Sequence, residues 1–196
     1  MESITVLTDL LKKDRSIRRF QQEKPLSREL LESLVDLTRY CASGRNLQPL
    51  KYLIVDDSRL CDEVFPLLKW AGYLNDWDGP GDGERPVAYI VQGLDTRLTK
   101  NCMCDDGLQL QTLTLGATAH GIGGCIIKAF NAPALEKVLN LPEWFVPTYV
   151  LALGYPSESV VIEDMDADSK DAVKYFRTPD RVHHVPKRSL MDILLK

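Results

Sequence analysis

Residues 105–128 read DDGLQLQTLTLGATAHGIGGCIIK, and this stretch decides the fold. From Asp105 to His120, the large residues Leu108, Leu110, Leu113 and Leu115 alternate with the small Gly107, Gly116, Ala117 and Ala119. Small side chains let a neighbouring backbone come close, so the mixture predicts a central, heavily packed helix. Gly121-Ile122-Gly123-Gly124 then ends the helix and leads into Cys125-Ile126-Ile127, a short apolar run that reads as a buried strand. The glycines follow a helix and enter a strand. A dinucleotide-binding fingerprint needs the reverse, glycines after a strand and opening a helix, so that motif is absent.

Elements of the same two kinds extend on both sides. Upstream, Ile4, Leu7, Leu10 and Leu11 fall at helical spacing within Ser3 to Lys13. Ser27 is placed to cap a second helix running to about Tyr40, with Leu30, Leu31, Leu34 and Leu37 on its apolar face. Tyr52 to Val55 reads as a strand, Ser58 to Leu68 as a helix that Pro66 bends or ends, and Val87 to Val91 as another strand. Between the last two lies a loop rich in Gly, Pro and Asp, Asn75 to Pro86. Downstream, Asn131 caps a helix over Ala132 to Leu139 with Pro133 in its first turn. Thr148 to Leu153 is a fourth strand, ended by Gly154-Tyr155-Pro156, and the polar remainder reads as irregular until Leu190 to Leu195. Four strands interleaved with helices predict an α+β layered fold, one domain over 1–196. The apolar tail, Leu190, Ile193, Leu194 and Leu195, must dock somewhere, and a partner subunit is one option.

Bulk properties narrow the function. The chain has 196 residues, 44% hydrophobic and 27% charged, enough to bury a core without disulfides or a structural metal. A net charge of -4 argues against nucleic acid or an anionic membrane as partner. The start of the chain has no signal-like apolar core and no apolar run is long enough to span a bilayer, so a cytoplasmic protein is expected. The five cysteines are odd in number and scattered, and with three histidines they offer no paired ligand spacing, so neither a disulfide framework nor a metal site is expected.

Four polar groups could carry chemistry. In Arg15-Ser16-Ile17-Arg18-Arg19-Phe20, Arg15, Ser16 and Arg18 could converge on a phosphate, or merely form the basic end of a helix. Ser43, Asn46 and Gln48 lie in a turn that could read a hydrogen-bonding edge, or bond its own backbone. Gln111 and the glycines from Gly121 could flank a flat ligand, or form a plain helix-to-strand turn. Lys187 and Arg188 are a second cationic pair, or a solvated tail.

Taken in order, these segments resemble the nitroreductase family of flavoproteins. The match runs through Arg15-Ser16-x-Arg18-x-Phe20, Ser43-x-x-Asn46-x-Gln48-Pro49, Asp105-x-Gly107-x-x-x-Gln111, Gly121-Ile122-Gly123, Leu141-Pro142, Leu153-Gly154-Tyr155-Pro156 and Pro186-Lys187-Arg188. The resemblance implies a central mixed or antiparallel sheet flanked by helices, in an entwined homodimer whose C-terminal tail wraps the partner. It implies FMN as cofactor, NAD(P)H as reductant, and a flat nitroaromatic, quinone or related small-molecule acceptor reduced in turn. Specialised members that dehalogenate, reduce an alkene or fragment flavin, and a flavin binder without turnover, are the alternatives. Arg15, Ser16 and Arg18, with Lys187 or Arg188, would hold the phosphate and ribityl chain. Ser43, Asn46 and Gln48 would contact the flavin, partly from the other subunit, and the backbone of Ile126, Ile127 and Lys128 would lie against its ring. No catalytic acid or base is implied. Trp70, Tyr73, Trp77 and Trp144 could line an acceptor pocket, with Asn75 to Pro86 as its lid. Two positions depart from the pattern: Asp14 stands where the family often has a basic residue, and Leu50 where an aromatic is frequent.

Overall fold

A computed structural model describes residues 2–166 and 171–195. The chain order is α1 (Glu2–Lys13), α2 (Arg28–Leu37), β1 (Leu50–Val55), α3 (Ser58–Val64), β2 (Ala88–Asp95), α4 (Asp105–Ala119), β3 (Gly123–Ile127), α5 (Ala132–Val138), β4 (Phe145–Gly154), β5 (Ser159–Asp164), β6 (Phe176–Arg177), β7 (Val182–Lys187) and α6 (Leu190–Ile193). The first four strands form one sheet in the order β1-β2-β4-β3, with every neighbouring pair antiparallel.

Side-chain alternation along these strands divides the core in two. Ala88 and Ile90 of β2 and Leu151 and Leu153 of β4 face α2 and α4, where they meet Leu31, Leu34, Leu110, Leu113 and Ala117. Tyr89, Val91, Val150, Ala152, Cys125 and Ile127 face the other way, onto Phe20, Val64, Leu68, Trp70 and Leu135. Helix α4 packs against α2 as its small residues imply: a Cβ on Gly116 would lie 2.5 Å from Leu37 Cδ1 and 3.1 Å from Leu34 Cδ2.

Local signals place most helix ends. The Ser27 hydroxyl accepts from the Leu30 amide at 3.2 Å, and Asn131 Oδ1 from the Ala134 amide at 3.2 Å. Gly121, at φ +72°, closes α4 in the left-handed conformation. At α3 the cap is Asp57, so Ser58 is the first helical residue, and a 3-10 turn over Phe65–Leu67 takes over at Pro66. The strands reach further than their apolar runs. Polar Gln92 lies within β2, fully buried, and donates to Tyr52 Oη at 3.4 Å while its oxygen accepts from the Thr148 hydroxyl at 3.1 Å.

The segment after Pro156, expected to be irregular, instead forms a second sheet, β5-β7-β6, with β5 and β7 parallel. The loop from Asn75 to Pro86 is tied down. Gln22 Oε1 accepts from the Gly83 and Arg85 amides at 2.8 and 3.1 Å, Phe20 donates to the Glu84 carbonyl, and Arg181 pairs with Glu84.

Candidate functional site

One cleft brings together parts of two of the sequence motifs, the Arg15-Ser16 segment and Gln111 with the glycine-led strand. It is about 180 Å³ in volume and is lined by Asp14, Arg15, Ser16, Gln111, Thr114, Gly124 and Ile126. Three elements build it. Beyond α1 the chain turns and runs along the outer edge of β3, where Ser16 bridges Gly124 in parallel and the Ile17 amide donates to the Gly124 carbonyl at 2.9 Å. This approach needs glycine at 123, because a Cβ there would stand 2.7 Å from Ile17 Cγ1 and 2.8 Å from its Cβ. Helix α4 supplies Gln111 and Thr114 from one turn.

The third element is β3, an edge strand. The Gly124 carbonyl points away from β4, toward Ile17, so backbone alternation also turns the N–H and C=O of Ile126 outward. Ile126 is half exposed in the cleft while Ile127 is buried on the opposite face. Lys128 lies just beyond the strand, where its ammonium donates to the Thr148 carbonyl at 3.0 Å and covers the Tyr149 ring.

Charge in the cleft is mixed. Arg15 donates through Nη2 to the Leu11 carbonyl at 2.8 Å, which fixes its guanidinium at the end of α1. Asp14 is buried, and its Oδ2 accepts from Gln111 Nε2 and from the Thr114 hydroxyl, the latter at 2.7 Å. Thr114 carried no motif in the sequence; only its place one helical turn beyond Gln111 could have marked it.

Arg18 does not line this cleft. Its guanidinium lies buried over the Tyr175 ring, 4.9 Å from the centroid, and donates to the Ser16 carbonyl at 3.3 Å and toward His183 Nε2 at 3.2 Å. Glu158 joins the group by accepting from the Arg18 amide at 2.5 Å and pairing with Arg177 at 2.9 Å. His183 is fully buried, and burial first, then Arg18 and Arg177, push its pKa down to about 4. Arg18 therefore faces His183 as a neutral acceptor. Lys187 and Arg188 are exposed at the end of β7 and are not among the cleft residues.

The turn Ser43 to Gln48 lies apart as well. The Ser43 hydroxyl donates to Asp105 Oδ2 at 2.6 Å and accepts from the Gln48 amide at 2.9 Å, while the Gly44 amide donates to Asp105 Oδ1 at 2.9 Å. Arg45, Asn46 and Gln48 all have positive φ, between 49° and 56°, so the turn is held in an unfavourable backbone shape. The Asn46 and Gln48 side chains remain exposed at its tip. Gln48 lines a second cleft with Thr38, Arg39, Cys41, Leu50, Lys51 and Gln109. The aromatics divide too: Trp70 is core, Trp77 stacks beneath Arg19 and Arg177, Trp144 packs on Phe145, and Tyr73 packs on Tyr175. None of them, and no residue of the Asn75–Pro86 loop, lines the cleft at Arg15. Among the described residues no helix is long and apolar enough to cross a membrane.

The Nitroreductase family model matches residues 11–75 and 98–155, which include the 14–20 segment, the Ser43 turn, α4 and the sheet edge at β3. The chain belongs to the nitroreductase family. An iodotyrosine deiodinase of Thermotoga neapolitana is 26% identical over 170 residues, 78% of this chain and 90% of that protein. A putative NADH dehydrogenase/NAD(P)H nitroreductase of Methanothermobacter thermautotrophicus is 22% identical over 89% of this chain and 84% of its own length. In fold, the chain resembles a nitroreductase family protein of Streptococcus pneumoniae TIGR4, with TM-score 0.70 at 17% identity, over 97% of this chain and 99% of that one. It also resembles the NADPH:FMN oxidoreductase of Vibrio harveyi, with TM-score 0.60 at 23% identity, over 77% and 69% of the two chains.

Proposed function

We propose that this nitroreductase-family chain is an FMN-dependent oxidoreductase that takes electrons from NAD(P)H and passes them to a flat acceptor such as a quinone or nitroaromatic. The observation that carries the reading is the union, in one cleft, of an outward-facing backbone at Ile126 with the Arg15 guanidinium and the Ser16 hydroxyl. A backbone N–H and C=O side by side match the donor and acceptor edge of a flavin ring, and a guanidinium with a hydroxyl suits a phosphate. Family membership supports a flavin, and the name of the Vibrio harveyi structural relative supports FMN in particular.

The donor set fits, but the volume of a single chain does not suffice. About 180 Å³ is below the roughly 300–1,000 Å³ of ligand sites. We take the missing wall from a second copy of the chain, whose Asn46 and Gln48 are exposed at a turn tip, where Gln48 Nε2 donates to Asn46 Oδ1 at 3.1 Å. In that homodimer, Ile126 would fix the ring by its backbone, Arg15 and Ser16 would hold the phosphate, and Asn46 and Gln48 of the other copy would close the site. When bound, the flavin supplies the redox chemistry, accepting hydride from NAD(P)H and giving it up to the acceptor. The chain's own part would be to orient the ring through the Ile126 backbone and to hold the phosphate at Arg15 and Ser16.

An absorbance spectrum of the purified protein, with release and identification of any flavin, tests the cofactor. Anaerobic addition of NADH or NADPH should then bleach the band near roughly 450 nm, and acceptor should restore it. A protein that stays colourless after incubation with FMN overturns the reading. The deiodinase relative gives a second acceptor class, so the panel includes a halotyrosine beside quinones and nitroaromatics. Halide release with retained FMN would favour reductive dehalogenation on the same site.

A further inference from the structure

We infer that Asp14 sets which part of the flavin enters the inner end of the cleft: its carboxylate keeps the phosphate out and receives a hydroxyl of the sugar-alcohol chain instead. The inference rests on the FMN reading above.

Three observations carry it. First, Asp14 is the carboxylate among the lining residues and is buried, while Ser16 beside it is exposed, so Asp14 marks the inner end and Ser16 the mouth. Second, its charge is not neutralised by an ion pair. No salt bridge among the described residues includes it, and Arg15, its neighbour in the chain, donates to the Leu11 carbonyl. Third, both of its donors, Gln111 Nε2 and the Thr114 hydroxyl, reach the same oxygen, Oδ2. Oδ1 receives neither, so the second oxygen is the one left to accept from a ligand.

These facts decide between the two ends of the cofactor. A phosphate carries up to two negative charges and has little to donate. Beside an unpaired carboxylate in a partly desolvated cleft, it meets like-charge repulsion and forms no hydrogen bond with it. A polyol hydroxyl is neutral and donates to a carboxylate in a charge-assisted bond. The phosphate is therefore left to the mouth, at Arg15 and Ser16, and the chain of hydroxyls passes Asp14. The consequence is a site that gains less from the phosphate than its arginine and serine suggest.

The test compares FMN with riboflavin, which has the same ring and hydroxyl chain but no phosphate. Dissociation constants are measured by flavin fluorescence quenching on the full-length wild type and on Asp14→Asn and Asp14→Ala. The Asn variant keeps an acceptor for Thr114 and Gln111 and removes the charge. At low ionic strength it should tighten FMN by at least about tenfold while changing riboflavin by less than about threefold. The Ala variant removes the acceptor, and should weaken riboflavin by at least about fivefold. Circular dichroism melts confirm that both variants fold. If Asp14→Asn leaves the ratio of FMN to riboflavin affinity unchanged while wild type binds both, the role of Asp14 is overturned and the FMN reading stands. If neither wild type nor either variant binds any flavin, the FMN reading falls and takes this inference with it.

Discussion

Arg15 and Arg18 stand three residues apart with the same charge, yet they serve different parts of the molecule. Arg15 sits in the cleft at the end of α1. Arg18 is folded under the tail between Tyr175 and His183. Arg15→Ala should weaken FMN binding by about tenfold or more, the cost of one charge-assisted bond, with little change in melting temperature. Arg18→Ala should do the reverse, lowering the melting temperature first because it strips a buried guanidinium from the Tyr175 ring and leaves the Ser16 carbonyl and His183 without their donor. Equal loss of FMN affinity in two equally stable variants would show that both arginines grip the cofactor. His183 adds a pH dependence. Unfolded, it takes a proton near its usual pKa of about 6.5, and folded only near 4. Between those values the unfolded chain binds more protons, so stability falls as pH drops from about 6.5 to about 4, by an upper bound of about 3 kcal/mol. Melting temperatures across that range should decline in wild type and decline less in His183→Gln; identical slopes would remove His183 as the source.

At the scale of elements, the site depends on how closely the 14–20 segment lies on β3. Gly123→Val would drive a side chain into Ile17 and push Arg15 and Ser16 off the edge of the strand. Overpacking of this kind typically costs about 1–3 kcal/mol, and here flavin affinity should fall with it. A Gly123→Val protein that binds flavin as tightly as wild type would break the link between that packing and the site. The same elements explain what could be read from the sequence. Helix α4, its glycine stop and β3 were legible because their signals are local: a run of leucines and small residues, a left-handed glycine, an apolar strand. The second sheet was not. Strand β5 is Ser-Val-Val-Ile-Glu-Asp with a largely exposed face, β6 spans two residues, and β7 contains His-His and a proline. Such strands exist because they pair with one another across the tail, and a sequence window holds no trace of that pairing. The surroundings of Arg18 were hidden for the same reason: its side chain lies against Tyr175 and His183, distant residues that belong with that unread sheet.

The whole molecule leaves two needs unmet in a single chain. The cleft is too small for a flavin, and apolar surface is left in water at both ends of the described chain: Ile4 and Val6 on α1, Leu190, Met191 and Ile193 on α6, and Leu194 just after it are each more than half exposed. The proposed homodimer would meet both: α6 of each copy would seat on the other and so hold the other copy's Asn46 and Gln48 at the cleft. Leu190 and Ile193 are three residues apart and so lie on one side of α6, and burying each contributes about 1.5 kcal/mol or more. Neither belongs to the hydrophobic core of its own subunit, which makes them a clean place to interfere. The double substitution Leu190→Glu with Ile193→Glu should leave the circular dichroism spectrum unchanged, because the capping box of Ser189 and Asp192 that starts α6 is untouched. Multi-angle light scattering should give twice the chain mass for wild type and shift toward the single-chain mass for the variant at micromolar concentration. Flavin should be lost in parallel, since each cleft then lacks its second wall. A variant that becomes monomeric and keeps its flavin would show that one chain builds the whole site. A wild type that is monomeric with flavin bound would remove the dimer from the account altogether.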